Sequence, residues 1–319
     1  MSKVALIFGI SGQDAAFLSF LLLRKGYRVV GTSRDPSSHT FSKLSTLGIL
    51  SQLEILQLSL LDVDAIINIL STYKPDEVYN LAGQTSVGLS FREPVISIDS
   101  IATATLNILE AIRLSDNSIR FYNAGSSECF GDTTSAPACE STPFNPCSPY
   151  AVAKSSAAWL VSTYRSSYQL FACTGILFNH ESHLRSETFV TQKIVKSAAQ
   201  ISLNRDSCLH LGNLNIYRDW GWSPEYVEAM WKMLQLPTPQ DFVIATGETR
   251  SLKEFVALAF SYFDLDWKEH VLIDPSLLRP SDLSYSSANP LKAQQLLGWS
   301  ATTMLEGLVH RMCSFCELS

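Results

Sequence analysis

The chain has 319 residues, 46% of them hydrophobic and 17% charged, enough to bury a large core in one big domain or two unequal ones. Its net charge of −6, with no basic block anywhere, excludes a nucleic-acid partner but not a phosphorylated small molecule, which needs only a few well-placed Arg or Lys residues. No apolar run of about 18 residues is present, so no membrane-spanning helix is expected.

The opening MSKVALIFGI runs straight into a glycine turn rather than a cleavage site, so residues 3–9 read as a first strand and not as a leader. A helix over 14–26 follows, stopped at Gly26, then a strand over 27–34 and another over 53–59. The pattern continues with a helix over 62–73, a strand over 76–82, a helix over 100–114 and a strand over 118–126. Strands that are apolar throughout and alternate with helices belong to a parallel sheet covered on both faces. The expected fold is therefore α/β, a doubly wound parallel sheet of Rossmann type. Beyond about residue 175 the alternation becomes irregular. A dinucleotide-binding domain over 1–175, with some later segments returning to it, and a smaller substrate-binding cap formed mainly by 176–319 are expected. Seven cysteines at irregular positions form no disulfide framework. Cys313 and Cys316 make a lone CxxC without the second pair that zinc requires, so they read as ordinary helix residues and no metal is expected. A soluble protein of a reducing compartment, the cytoplasm, follows.

Three short stretches carry chemistry. Gly9-Ile10-Ser11-Gly12-Gln13-Asp14-Ala15 closes the first strand and opens the first helix. Gly9 permits a tight turn, Gly12 lets the backbone approach a pyrophosphate at the helix N-terminus, and Ala15 is small enough for close packing. At the end of the second strand stands Thr32-Ser33-Arg34, where an acidic side chain would hold a free ribose 2′-hydroxyl. An Arg with hydroxyls beside it suits a 2′-phosphate, which favours NADP over NAD. Tyr150 and Lys154 are roughly one helical turn apart and share a face. A lysine ammonium beside a phenol favours the phenolate, which would make Tyr150 a base near neutral pH.

With Ser126, these residues resemble the extended short-chain dehydrogenase/reductase superfamily. The longer blocks GISGQD, KPDEVYNLAGQTSV, SSECFG, TPFNPCSPYAVAK, GILFNHES, FVTQKI, LGNLNIYRDWG, YVEAMWKML and DFVIATGE are similar to the GDP-mannose 4,6-dehydratase family. The similarity runs from residue 3 to about 255 and resumes weakly near LLRPSDL and LGWS.

The resemblance implies a catalytic set of Ser126, Ser127, Glu128, Tyr150 and Lys154. In it, Tyr150 is the base for the sugar C4 hydroxyl, tuned by Lys154, with Ser126 bonding at C4. Glu128 takes the C5 proton, which a C4 ketone makes acidic, and Ser127 assists loss of the C6 oxygen. Cofactor contacts are implied for Gly9, Ser11, Gly12, Gln13, Asp14, Arg34, Ser59, Leu60, Leu81, Ala82, Gly83, Thr85, Tyr150, Lys154, His180 and Arg185. A GDP-sugar would meet Gln84, Ser86, Ser126, Glu128, Asn179, Lys193, Arg218 and Arg279, although Arg218 could pair with Asp219 and Arg279 could be a loop residue.

Four departures stand out. Ser126 replaces the usual Thr, Ser59 replaces an Asp that contacts adenine, and Asp35 replaces the second Arg of an Arg-Arg pair tied to tetramer contacts. The connection before Arg279 is also short. A homodimer or homotetramer is expected. Open beside the dehydratase are an NADPH-dependent GDP-ketosugar reductase or epimerase, a dehydratase of another GDP-sugar such as a GDP-heptose, and an inactive dinucleotide-bound regulatory protein.

Overall fold

The computed structural model describes residues 2–38, 41–204, 206–278 and 281–317. Seven strands form the central sheet: β1 (Val4–Phe8), β2 (Arg28–Ser33), β3 (Glu54–Gln57), β4 (Glu77–Asn80), β5 (Arg120–Ala124), β6 (Ala172–Leu177) and a late arrival, Phe242–Ile244. Their order is Phe242–Ile244, β6, β5, β4, β1, β2, β3, and every pairing is parallel. The doubly wound parallel sheet expected from the sequence is present. Residues of β1 show why it must be covered twice: Ala5 and Ile7 pack into one core, Leu6 and Phe8 into another, and all four are fully buried.

The helices Gln13–Arg24 and Ser223–Met233 pack together on the first face. Val63–Tyr73, Ala104–Ser115 and Pro149–Tyr168 cover the second. The first helix ends at Arg24, and Gly26 follows with φ +81°, a left-handed position that favours glycine. The helical run Pro94–Ser115 is long and apolar enough by composition to cross a membrane, contrary to the expectation from the sequence. It packs instead against Val63–Tyr73 and Pro149–Tyr168, so its apolar face belongs to the core. Five of its residues, Asp99–Thr103, form a π-helical turn.

The rest of the chain builds two small sheets. β7 (Asn179–Glu181), β8 (Leu209–Leu211) and β9 (Tyr217–Trp222) precede the sheet-completing strand, now β10 (Phe242–Ile244). β11 (Thr249–Ser251) and β12 (Val271–Ile273) follow it. β9 lies between β7 and β11, and β8 pairs with β12. Helices Val190–Leu203, Leu252–Tyr262 and Leu305–Glu317 enclose a separate apolar core there. A cut at residue 175 falls inside β6, and Ser223–Met233, β10 and the helix Leu291–Leu297 lie with the large sheet. Cys313 and Cys316 sit in the last helix, and all seven cysteines are free thiols.

Candidate active site

The carboxyl ends of β1, β4, β5 and β6 open toward the small sheet, and between them lies a cavity of about 230 Å³. The turn after β1 leads to it, and Asp14 lines it. Gly9 has φ +85°, and a Cβ there would sit 2.8 Å from both Cα and N of Ala82, so only glycine lets the β1 and β4 ends meet. The N–H groups of Gly9 and Ile10 both donate to the Thr32 carbonyl. Gly12 caps the helix Gln13–Arg24 with no side-chain hydrogen bond, which leaves the first-turn N–H groups available to an anion.

The small residues that end β4 are accounted for one by one. Leu81, Ala82, Thr85 and Ser86 line the cavity, and Gly83 turns at φ +128° against Ile101 and Ser100. Gln84 does not line it. Its amide donates to the Ser86 carbonyl (2.8 Å) and Ser97 hydroxyl (3.2 Å) and its Oε1 accepts from Ser86 N, so it pins the loop.

From β5 come Ser126, Ser127 and Glu128. Ser126 caps the short helical turn Ser127–Phe130, its Oγ accepting from Glu128 N at 3.3 Å, and this places the Glu128 side chain at the cavity wall, half-buried. Pro149 starts the next helix and Ser148 caps it, so Tyr150 and Lys154 face the cavity from its first two turns. Their electrostatics differ from the sequence expectation. Burial pushes the Tyr150 phenol well up, with the Ser126 hydroxyl pulling the other way. Burial also pushes Lys154 down to about 8. Its Nζ donates to the Ala124 carbonyl at 2.7 Å and lies 5.9 Å from the Tyr150 ring centre, so the protein alone does not hold Tyr150 as a phenolate.

Across the cavity stand Asn179, His180, Glu181 and Arg185 from β7 and the loop after it, with Asp14 beside them. The Glu181 carboxylate lies 3.0 Å from Arg185 Nε and accepts from Thr191 Oγ1 at 2.8 Å. Arg218 also lines the wall, 5% exposed, and pairs with Asp282 at 3.2 Å rather than with Asp219. Neighbouring residues of a strand face opposite ways. Asp219 therefore turns from the cavity and accepts from Thr246 and Gly247, and burial raises it to about 6.

Several expected residues lie elsewhere. Ser11, Gly12 and Gln13 belong to the turn itself, with the Lys43 ammonium on the Ser11 carbonyl at 3.0 Å. Arg34 is exposed at the end of β2, Ser59 is exposed after β3, and the Leu60 carbonyl accepts from Asn107. Lys193 donates to the His210 carbonyl at 2.7 Å, outside the cavity lining. Arg279 falls outside the described residues. Sequence reasoning missed Glu181, Thr188, Phe189, Val190, Thr191, Ile216 and Trp220, all in the lining. Glu181 stood unremarked beside His180, and Phe189 to Thr191 stood inside a matched block.

The sequence matches the family model described as GDP-mannose 4,6 dehydratase over residues 6–312. It is 44% identical to GDP-mannose 4,6 dehydratase 1 of Arabidopsis thaliana, over 97% of this chain and 88% of the relative. It is 40% identical to GDP-mannose 4,6-dehydratase of Vibrio cholerae, over 98% and 92% respectively. In fold it is similar to UDP-glucose 4-epimerase of Thermotoga maritima, solved with UDP-glucose (TM-score 0.88, 20% identity, 99% of each chain). It is similar too to dTDP-glucose 4,6-dehydratase of Bacillus anthracis, solved with NAD (TM-score 0.85, 15% identity, 100% of this chain and 97% of that one).

Proposed function

Because the chain belongs to the GDP-mannose 4,6-dehydratase family, we propose that it removes water from GDP-mannose to give GDP-4-keto-6-deoxy-mannose, as an NADP-dependent lyase. The observation that carries this is the meeting of Ser126, Glu128, Tyr150 and Lys154 in one cavity beside the uncapped helix N-terminus. That N-terminus and the glycine turn suit a dinucleotide pyrophosphate. Arg34, exposed next to Ser33 at the end of β2, suits a 2′-phosphate. NADP, held at this turn, would supply the hydride chemistry that the C4 oxidation and the C6 reduction require.

The protein's own groups handle protons and position. Tyr150 takes the proton of the C4 hydroxyl, and Ser126 bonds to the same oxygen. Burial holds the Tyr150 phenol up, the Ser126 hydroxyl and the Arg185 charge pull it down, and the Lys154 ammonium, 5.9 Å from the ring centre, is placed to add to that pull when charged. Glu128 takes the C5 proton once C4 is a ketone, since the carbanion is then an enolate, and Ser127 assists departure of the C6 oxygen. Asn179 and Arg218 hold the nucleotide sugar from the small-sheet side, with Arg185 and His180 toward the cofactor.

The protein is read as a cytoplasmic homodimer or homotetramer. Free thiols at all seven cysteines agree with a reducing compartment. Val95, Ile96, Val152 and Trp159 expose apolar side chains on two neighbouring helices, Trp159 with 57% of its surface in solvent, a face that suits a second copy.

The test is to incubate purified protein with a panel of GDP-sugars and read mass loss of one water without net NADPH consumption. GDP-mannose should react. Conversion of ketosugars alone, with NADPH consumed, would replace this reading with the reductase.

A further inference from the structure

Asp14 lies in the first turn of the helix Gln13–Arg24. A carboxylate there competes with any second anion for the same N-terminus. Its Oδ1 accepts from Ser223 Oγ (2.9 Å) and Gln13 Nε2 (3.1 Å), while Oδ2 faces His180 Nε2 at 2.8 Å. The other ring nitrogen of His180 lies 2.7 Å from the Phe178 carbonyl oxygen. A carbonyl and a carboxylate both lack a hydrogen to give, so each ring nitrogen carries one and the ring is an imidazolium. Tyr226 stacks on it with centres 4.7 Å apart, which fixes the plane. Burial opposes charge on both partners, yet their mutual attraction leaves Asp14 below and His180 above its ordinary value. The other charged groups that face the pair are Arg185 with its partner Glu181, and Lys154, while Lys43 lies on the Ser11 carbonyl and acts on Arg185.

We infer that His180 is a positioning residue acting through Asp14: its imidazolium cancels the Asp14 charge, so the helix N-terminus keeps its attraction for a dinucleotide pyrophosphate. The inference rests on the dinucleotide reading above. The same contacts fasten the turn to β7, together with Ser182 donating to Gln13 Oε1 at 2.6 Å and Gln13 Nε2 donating to the His180 carbonyl at 3.2 Å.

The experiment is a double-mutant cycle read by calorimetric titration with NADP⁺ at pH 7. His180→Asn should weaken binding about tenfold, the effect of one uncancelled charge in a first helical turn. The double variant Asp14→Asn/His180→Asn should return to within about threefold of the parent. A double variant as weak as His180→Asn would overturn the inference. In parallel, nitrogen NMR of the parent's histidines should show one ring protonated at both nitrogens at pH 7, its signal lost in His180→Asn or, if that variant does not fold, identified by its return to a neutral ring in Asp14→Asn. No such ring in the parent would also overturn it. A parent that binds no NADP⁺ while the NMR result holds would instead defeat the dinucleotide reading and leave the ion pair standing.

Discussion

At the amino end of β4 the carboxylate of Glu77 is fully buried, yet Lys3, Tyr27 and Gln235 donate to one of its oxygens and Tyr79 to the other. At the carboxyl ends of the neighbouring strands, Tyr150 and Lys154 are nearly as buried, with Ser126 and one carbonyl as their described partners. The first cluster is satisfied by the protein and holds the sheet to the helix carrying Gln235's neighbour Trp231. The second is electrostatically uncomfortable, with Tyr150 and Lys154 both shifted toward their neutral forms by burial. One sheet thus separates stability from chemistry along the length of its strands. Buried polar groups that are fully paired fix structure, and those held against their ordinary ionisation mark a site.

If that separation is real, substitutions at the two ends should have crossed effects. Tyr150→Phe should lower turnover by roughly 100- to 10,000-fold, the range for a lost acid–base group, with NADP still bound and the urea midpoint little changed. Retained turnover would move the base elsewhere. Glu128→Gln should cut exchange of the substrate C5 proton with deuterated solvent by on the order of 100-fold. Reduced cofactor should then accumulate in a stopped reaction with GDP-mannose.

The opposite end should answer in stability alone. Glu77→Ala leaves buried hydroxyls and an amide without their acceptor, and should cost about 2–4 kcal/mol in urea unfolding. Turnover per folded molecule should stay near the parent's. A matching fall in turnover would erase the distinction between the ends.

Two smaller effects sharpen it. Lys154 has its folded value lowered from 10.5 to about 8. Between those values the unfolded chain binds the extra proton, so stability from this group rises as pH increases through the interval. Urea unfolding at pH 7 and 9.5 should show this rise in the parent and lose it in Lys154→Met. Arg34→Ala should weaken NADP by about tenfold while leaving NAD nearly unchanged, as expected for one lost charge-assisted contact. Equal losses would mean that Arg34 does not read a 2′-phosphate.

Five strands of the large sheet, β1 to β5, were legible in the sequence because they are mostly apolar and separated by well-marked helices, as Val4–Phe8 and Gln13–Arg24 illustrate, whereas β6 and the late β10 were not expected. Gly9, Gly12, Tyr150 and Lys154 were legible because each obeys a local rule of turn, cap or helical spacing. The smaller region was not. β7, β8, β11 and β12 have three residues each, too few for any period to show. The helical run beginning at Pro94 was expected only from residue 100, because the π-helical turn at Asp99–Thr103 shifts its apolar spacing. The ionisation of Tyr150 was misjudged because residue spacing shows proximity to Lys154 but not the depth of burial that opposes it.

The late position of β10 bears on how the chain is made. Synthesis runs from the N-terminus at about 5–20 residues per second, so roughly 65 residues beyond β6 emerge before its partner does, a matter of several seconds. Throughout that interval the outer edge of β6 has no strand beside it, and the face of Gln13–Arg24 that meets Ser223–Met233 has no cover. An open strand edge next to uncovered apolar surface invites pairing with another nascent chain. The dinucleotide half therefore cannot finish folding on the ribosome ahead of the rest, and a chain cut short after Leu177 is left with both surfaces permanently exposed.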